Sequence, residues 1–435
     1  MAARVDYAVT PGGKLQGTLR VPGDKSISHR ALMLGAIAEG VTEIEGFLDG
    51  ADCLSTLDAL RAMGVEVESP SPTSLKVRGR GLYGLRAPNT PLDCGNSGTA
   101  MRILMGLLAG QGFEATLIGD ESLSRRPMKR VIHPLMAMGA SIESRNGLAP
   151  ITLHAIRPLE PARHVLNVAS AQVKSAILLA GLYAGGYTWI KEPGPSRDHT
   201  ERMLHSFGLH LLRESGWLGI HGGEPLRATR IEVPADLSSA AFFLAGAAMT
   251  PGSDLTLTNV GVNPTRDGVI RILRLMGAHI EIRHSRLGGG EPAADIHIKG
   301  GRLRGTDITP DLVTLAIDDI PAVLVAAACA EGTTRVHGAA ELRVKESDRL
   351  QAMQTGLAAL GVNVDSVPDG INVTGTAHLK GGEIQSFGDH RIAMAFAMAG
   401  LRTEGPLTIR DCANVDTSFP GFTAMARQAG LQIAT

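Results

Sequence analysis

Lys25, Ser26, Ser28, His29 and Arg30 crowd into one short stretch of chain, directly ahead of the small apolar run "ALMLGAIAEG". A helix N-terminus already holds a partial positive charge and unpaired N–H donors, so Lys and Arg placed there oppose the helix dipole. The placement makes sense if an anion binds. The pattern returns along the chain: Asn96, Ser97, Gly98 and Thr99 precede Arg102, Ser170 and Gln172 precede Lys174, and Asp389, His390 and Arg391 open another apolar run. Three further segments concentrate charge. "SLSRRPMKRVIH" sets Arg125, Arg126, Lys129 and Arg130 around Pro127 and reads as a helix entry with Pro in the first turn. "ELRVKESDRL" sets Arg343, Lys345, Glu346, Asp348 and Arg349 ahead of a helix, and "LAIDDIPAVLVAAA" sets Asp318 and Asp319 at the head of an apolar one. Plainer explanations compete. Ser, Asp and Thr cap any helix, which suffices for Asp236 and competes for the two aspartates, while charge runs are usually solvated faces. His29 rises no higher than a structural or solvent-facing histidine. What favours chemistry is that these residues fall at equivalent positions of a repeat.

Six starts, at Asp24, Gly95, Ser170, Asp236, Asp319 and Gly388, each lead from a polar opening into an apolar helix, a strand, a second helix charged on one side, and another strand. They recur roughly every 70 residues, too long a period for solenoid modules. The Gly after each first helix, and the "MG" or "LG" before each closing strand, read as left-handed C-caps. Three units per domain about a threefold pseudo-axis is the economical packing. It predicts one domain at residues 24–237 and another at 1–23 plus 238–435, with crossings near 21–24 and 235–240 that act as hinges. Buried helices arranged this way can aim several N-termini at the cleft between the domains.

Composition narrows the function. The chain has 435 residues, beyond the usual single core, and is 44% hydrophobic but only 3% aromatic, so its cores are aliphatic. Lys+Arg (42) nearly cancels Asp+Glu (43), which argues against nucleic acid or anionic lipid as partner. Any anion site is local. Four cysteines (Cys53, Cys94, Cys329, Cys412) form no CxxC pair and read as buried free thiols, with no metal site implied. No apolar stretch reaches membrane-span length, and "MAARVDYAVTPGGKLQG" has no signal-like apolar core, so a cytoplasmic protein is expected. "GDKS" lacks the Gly that a Walker loop needs before its Lys-Ser pair, no GxGxxG opens a helix after a strand, and "LGGGEP" reads as a flexible hairpin tip.

"PGDKSISHRA", "CGNSGTAMR", "RRPM", "LRVKESDR" and "GDHRIAMAF", in this order, make the whole chain resemble the enolpyruvyl transferase family, in its shikimate-phosphate branch. The resemblance implies a two-domain inside-out α/β barrel of six βαβαββ repeats. It also implies transfer of the enolpyruvyl group of phosphoenolpyruvate to the 5-hydroxyl of shikimate 3-phosphate, by addition and elimination through a noncovalent tetrahedral intermediate, without metal or organic cofactor, in a monomer. Carried over by residue, it assigns Lys25, Ser26, Arg30, Ser170, Ala171, Gln172, Arg197, Asp318 and Lys345 to shikimate 3-phosphate. Lys25, Asn96, Gly98, Arg126, Gln172, Arg349 and Arg391 fall to phosphoenolpyruvate, with Thr99 shaping the loop. Asp318 is implied as the base on the 5-hydroxyl, Glu346 as the group that protonates the methylene carbon, and Lys25 as a third catalytic group. Ala171, Glu341 and Thr417 stand where many members have Ser, Asn and Lys, traits of the family's second sequence class. Gly98 is retained, which implies sensitivity to glyphosate. A UDP-N-acetylglucosamine enolpyruvyl transferase would carry a Cys in the loop "GDESLSRRPM", which has none. A noncatalytic anion-binding protein of the same fold is the remaining alternative.

Overall fold

The computed structural model describes residues 5–435. The chain divides into two compact units: unit I is Gly23–Val233 with Leu287–Glu291, and unit II is the described residues up to Pro22, Pro234–Arg286 and Pro292–Thr435. Unit I carries helices α1 (Lys25–Ile37), α2 (Ala51–Ala62), α3 (Gly98–Ala109), α4 (Glu121–Ser124), α5 (Lys129–Ala137), α6 (Ala171–Gly181) and α7 (His199–Ser206). Unit II carries α8 (Leu237–Met249), α9 (Gly268–Leu275), α10 (Pro310–Ala316), α11 (Ile320–Ala328), α12 (Arg349–Ala359), α13 (His390–Ala399) and α14 (Phe422–Ala429).

Each unit holds three four-stranded sheets. Every one of them combines one parallel pair with antiparallel neighbours; in unit I, for example, Leu92–Asp93 runs parallel to Ala115–Ile118, which is antiparallel to Leu148–His154. The last strand of unit I, Arg230–Glu232, pairs with Val41–Glu45 of its first repeat and closes the ring. In unit II the chain's first strands complete the sheets: Tyr7–Val9 joins Leu407–Arg410 and Ile433–Ala434, and Gln16–Leu19 lies parallel to Asp254–Gly261. Each four-stranded sheet thus has two strands more than the helix, strand, helix, strand reading: the closing strand doubles back as a hairpin, as at Glu66–Ser71 and Ser74–Arg78, and a short parallel strand is added, as at Leu92–Asp93.

The apolar helices are buried almost all round because beyond their first two turns nothing on them needs water. All residues of α8, α11 and α13 are buried. In α1, α3 and α6 the positions that are not buried are Lys25 and Ser26, Thr99 and Arg102, and Ala171 and Gln172, all in the first turn or just beyond it. Each unit has its own aliphatic core.

The glycines before the closing strands, Gly64, Gly139, Gly208, Gly277, Gly361 and Gly430, all have positive φ, as a left-handed cap requires. Two of the glycines after the first helices do not. Gly110 (φ −93°) and Gly400 (φ −55°) are needed for room instead: a Cβ there would lie 2.0 Å from Tyr183 Cγ and 2.3 Å from Val9 Cγ1. Pro127 also differs from expectation. The amides of Arg125 and Arg126 close on the carbonyls of Ser122 and Leu123, so the chain must turn before α5 can start at Lys129, and Pro127 lies in that turn. The "LGGGEP" tip is not loose: Gly289 and Gly290 form a tight positive-φ turn, Ser206 Oγ donates to Gly289 O (3.0 Å), and buried Glu291 meets buried His199 (2.7 Å). Cys53, Cys94 and Cys412 are buried free thiols, whereas Cys329 is partly exposed.

Candidate active site

In unit I, hydrogen bonds tie three helix N-termini into a triangle. His29 Nε2, in the first turns of α1, lies 3.3 Å from Ser97 Oγ, the N-cap hydroxyl of α3. Gln172, at the start of α6, accepts from Arg102 Nη1 (2.8 Å) and donates to Thr99 Oγ1 (2.9 Å), joining α6 to α3. Arg30 Nη2 donates to Ser175 Oγ (2.7 Å), joining α1 to α6. The caps themselves are ordinary: Asp24, Ser97 and Ser170 each accept from an amide of the first turn. Three helix N-termini with their partial positive charge therefore share one neighbourhood, a setting that favours an anion.

The cations there are held in place rather than solvated. Lys25 Nζ bonds Asp52 Oδ2 at 2.8 Å, with both side chains mostly buried. Arg30 is 3% exposed and spends its donors on Thr200 Oγ1 (2.7 Å), Ser26 O (2.8 Å) and Ser175. Burial, with nearby Arg197 adding to it, brings the Arg30 pKa down to about 10, against the pull of Glu201 and Asp24. Arg126 is buried and donates to Asn96 Oδ1 (2.7 Å), while Asn96 donates to Asp120 Oδ2 (2.6 Å). Gly98 opens α3 under this pair: a Cβ on it would sit 2.8 Å from Arg102 Nη1 and 3.4 Å from Arg126 Nη1. His29 is fully buried, its Nδ1 2.8 Å from Thr56 Oγ1, so it braces helices, and its pKa lies well below the ordinary 6.5 because of burial and then the charges of Lys25 and Arg30.

Unit II assembles a second cluster around Arg349, at the start of α12. This guanidinium is 1% exposed and faces three carboxylates: Asp389 Oδ2 (2.8 Å), Glu346 Oε2 (2.6 Å) and Asp318 Oδ1 (3.5 Å). Lys345 Nζ stands 3.9 Å from Asp318 Oδ1, and burial lowers its pKa against the attraction of Asp318. Arg391, at the head of α13, donates to Asp318 O (2.9 Å) and lies 3.7 Å from Asp319 Oδ1. A solvated charge run is therefore the wrong description of "ELRVKESDRL" at Arg349, although Arg343 does pair with Asp348 (2.9 Å). Asp319 makes no side-chain cap bond, so capping does not account for it either. Asp236 behaves as a cap, accepting from Ser238 N (2.8 Å), and also binds buried Arg266 (2.8 Å). Thr417 Oγ1 donates to Asn414 O (2.7 Å), within its own turn.

Sequence reasoning missed the carboxylates that seat the cations, Asp52 for Lys25 and Asp389 for Arg349. Asp389 was visible as a helix start, but its partner lies 40 residues away. Arg102 was visible only as the cation that follows Asn96–Thr99, and its link to Gln172 appears once α3 and α6 pack.

Triangulated helix N-termini lined with seated Arg and Lys, and a separate Arg–Lys–carboxylate cluster, define an α/β enzyme built to handle polyanions and protons. The model of the EPSP synthase (3-phosphoshikimate 1-carboxyvinyltransferase) family matches residues 9–425. The chain is 58% identical to the 3-phosphoshikimate 1-carboxyvinyltransferase of Alkalilimnicola ehrlichii over 430 residues, which covers 99% of this chain and 96% of that one. It is equally 58% identical to that of Acidithiobacillus ferrooxidans, over 98% of both chains. A solved structure of EPSP synthase from Acinetobacter baumannii superposes with a TM-score of 0.90 at 50% identity, over 99% of both chains. The chain belongs to the EPSP synthase family.

Proposed function

We infer that this chain transfers the enolpyruvyl group of phosphoenolpyruvate to the 5-hydroxyl of shikimate 3-phosphate, giving 5-enolpyruvylshikimate 3-phosphate and phosphate, in aromatic amino acid biosynthesis. The observation that carries this reading is the triangle of N-termini with its seated cations. Each substrate brings a carboxylate and a phosphate, so roughly five or six negative charges must be held together, which only matched and partly desolvated cations can offset. Arg suits bidentate contacts to such groups, and Lys acts as a point charge.

Lys25, Ser26, Arg30, Ser170, the Ala171 main chain, Gln172, Arg197 and Lys345 receive shikimate 3-phosphate. Lys25, Asn96, Gly98, Arg126, Gln172, Arg349 and Arg391 receive phosphoenolpyruvate. Asp318 takes the 5-hydroxyl proton as that oxygen attacks the carbon bearing the phosphate, and Glu346 gives a proton to the methylene carbon. The tetrahedral adduct then loses a methyl proton and phosphate, whose charge Lys25 balances. Arg349 touches both carboxylates, so a phosphoenolpyruvate anion that draws on Arg349 changes the proton affinity of each. No group of three or more His, Cys, Asp or Glu suited to a metal occurs among the described residues, and the reading uses none. Glyphosate is expected to inhibit beside Gly98. The enzyme is further proposed to work as a cytoplasmic monomer, which cell fractionation and light scattering after gel filtration would check.

The deciding experiment is phosphate release on mixing the protein with phosphoenolpyruvate and shikimate 3-phosphate. Release is expected with that pair and not when UDP-N-acetylglucosamine replaces shikimate 3-phosphate. No release with either acceptor would leave only an anion-binding protein.

A further inference from the structure

Apart from the candidate active site, unit I has a cavity of about 430 Å³ behind α6, lined in part by Lys174, Glu192, Glu201, Trp217, Ile190 and Leu218. None of the residues assigned above to the substrates lines it. At its base one ammonium serves two carboxylates: Lys174 Nζ lies 2.8 Å from Glu192 Oε2 and 2.8 Å from Glu201 Oε1, with Lys174 3% and Glu201 7% exposed. Burial disfavours the charge on Lys174, but the two carboxylates more than reverse this and raise its pKa.

The hydrogen bonds do not close. Lys174 has three donors, and its remaining contact is Ser196 O at 3.5 Å. Glu192 Oε1 is taken by Ser196 Oγ (2.5 Å). Glu201 Oε2 is buried and has no partner. Arg213, the next cation, reaches only 4.0 Å from the other oxygen of Glu201, and its side chain is 67% exposed. Lys174, Glu192 and Glu201 carry one net negative charge among themselves, which buried Arg30 attracts from nearby, and one buried acceptor oxygen is left over, costly unless something donates to it.

We propose that this cavity is a second binding site, for a small molecule carrying a primary ammonium group on a compact apolar body. The ammonium donates to Glu201 Oε2 and supplies the hydrogen bond that this buried oxygen lacks. One free oxygen suits a point donor better than the two-pronged guanidinium. The walls of Ile190, Leu218 and the Trp217 ring take the apolar body; Arg163 and Lys191 already stand 5.6 and 5.9 Å from that ring, so the ring serves as an apolar wall. The cavity's volume lies toward the small end of ligand sites, ample for a compact apolar body.

Trp217 provides the readout, since the chain has only two tryptophans. In the full chain carrying Trp189→Phe, fluorescence is titrated with n-butylammonium chloride, with 1-butanol and with ammonium chloride at matched ionic strength. A saturable change with n-butylammonium, absent with butanol and weaker with ammonium, is expected. Glu201→Gln should weaken that binding about ten-fold or more, the worth of a charge-assisted bond. Arg213→Ala, on the surface and safe for folding, should tighten it several-fold by removing the competing cation. The proposal is overturned if butanol matches butylammonium, which leaves an apolar pocket filled by water, or if ammonium alone matches it, which leaves an inorganic cation site. Binding unaltered by Glu201→Gln, or by Arg213→Ala where the first variant fails to fold, also overturns it.

Discussion

At the scale of single residues, the same side chain type does opposite work according to what surrounds it. Asp236 caps a helix and neutralises Arg266, whereas Asp318 stands between Lys345 and Arg349 with no helix to cap. Removing the charge at Asp318 tests its proposed role: Asp318→Asn should lower kcat about 100-fold or more, the usual worth of a general base. Turnover left intact in a phosphate-release assay would sink the base role. His29 makes a different prediction. Its folded pKa is depressed, so the native state stays neutral while the unfolded chain binds a proton below the ordinary 6.5. Stability from this group is complete above that value and falls as pH drops through it, by at most about 1.4 kcal/mol per pH unit. Urea unfolding between pH 5 and 7 should show a shallower loss for His29→Gln than for the parent chain. Equal slopes would mean that His29 is not held neutral.

At the scale of elements, helix starts and close helix crossings decide the site. Gly98→Ala places a methyl group against the tips of Arg102 and Arg126, which are flexible ends rather than backbone. Folding should therefore hold, with thermal midpoint little changed, while KM for phosphoenolpyruvate and the glyphosate inhibition constant each rise about ten-fold, as overpacking of 1–3 kcal/mol implies. An inhibition constant that stays put would remove glyphosate from this pocket. Gly106 is the contrasting case on the same helix. There a Cβ would meet Ala176 O at 2.1 Å and Ala176 Cα at 2.6 Å, so α3 and α6 must part. Gly106→Ala should cost about 1–3 kcal/mol or more in urea unfolding. It should also loosen the Gln172 link between the two N-termini.

At the scale of the whole molecule, the chain passes between its units after Pro22 and after Val233, and the Asp236 amide bonds the Pro22 carbonyl at 2.8 Å, so these two passages run side by side. The hairpin tip Leu287–Glu291 adds a further excursion. Hinge motion at residues 21–24 and 235–240 remains our proposal: shikimate 3-phosphate should reduce the radius of gyration in small-angle scattering, and an unchanged value would refute it. The six repeats were legible because each buried helix carries charge, if any, only in its first two turns and each outer helix ends at a glycine, signals that need no long-range contact. The strand pairing was not. That Arg230–Glu232 closes on Val41–Glu45, or that Gln16–Leu19 joins Asp254–Gly261, depends on register between segments far apart in sequence.

The amino-acid sequence by itself determined the helix starts, the excess of cations and hydroxyls at them and the family, because capping, dipole and burial are local properties of a short stretch. Tertiary packing alone decided which carboxylate seats each cation. Lys25 settles on Asp52, Arg349 on Asp389, and Lys174 is divided between Glu192 and Glu201. Ion pairs of this kind depend on distance and desolvation, and neither exists until the chain has brought the partners together.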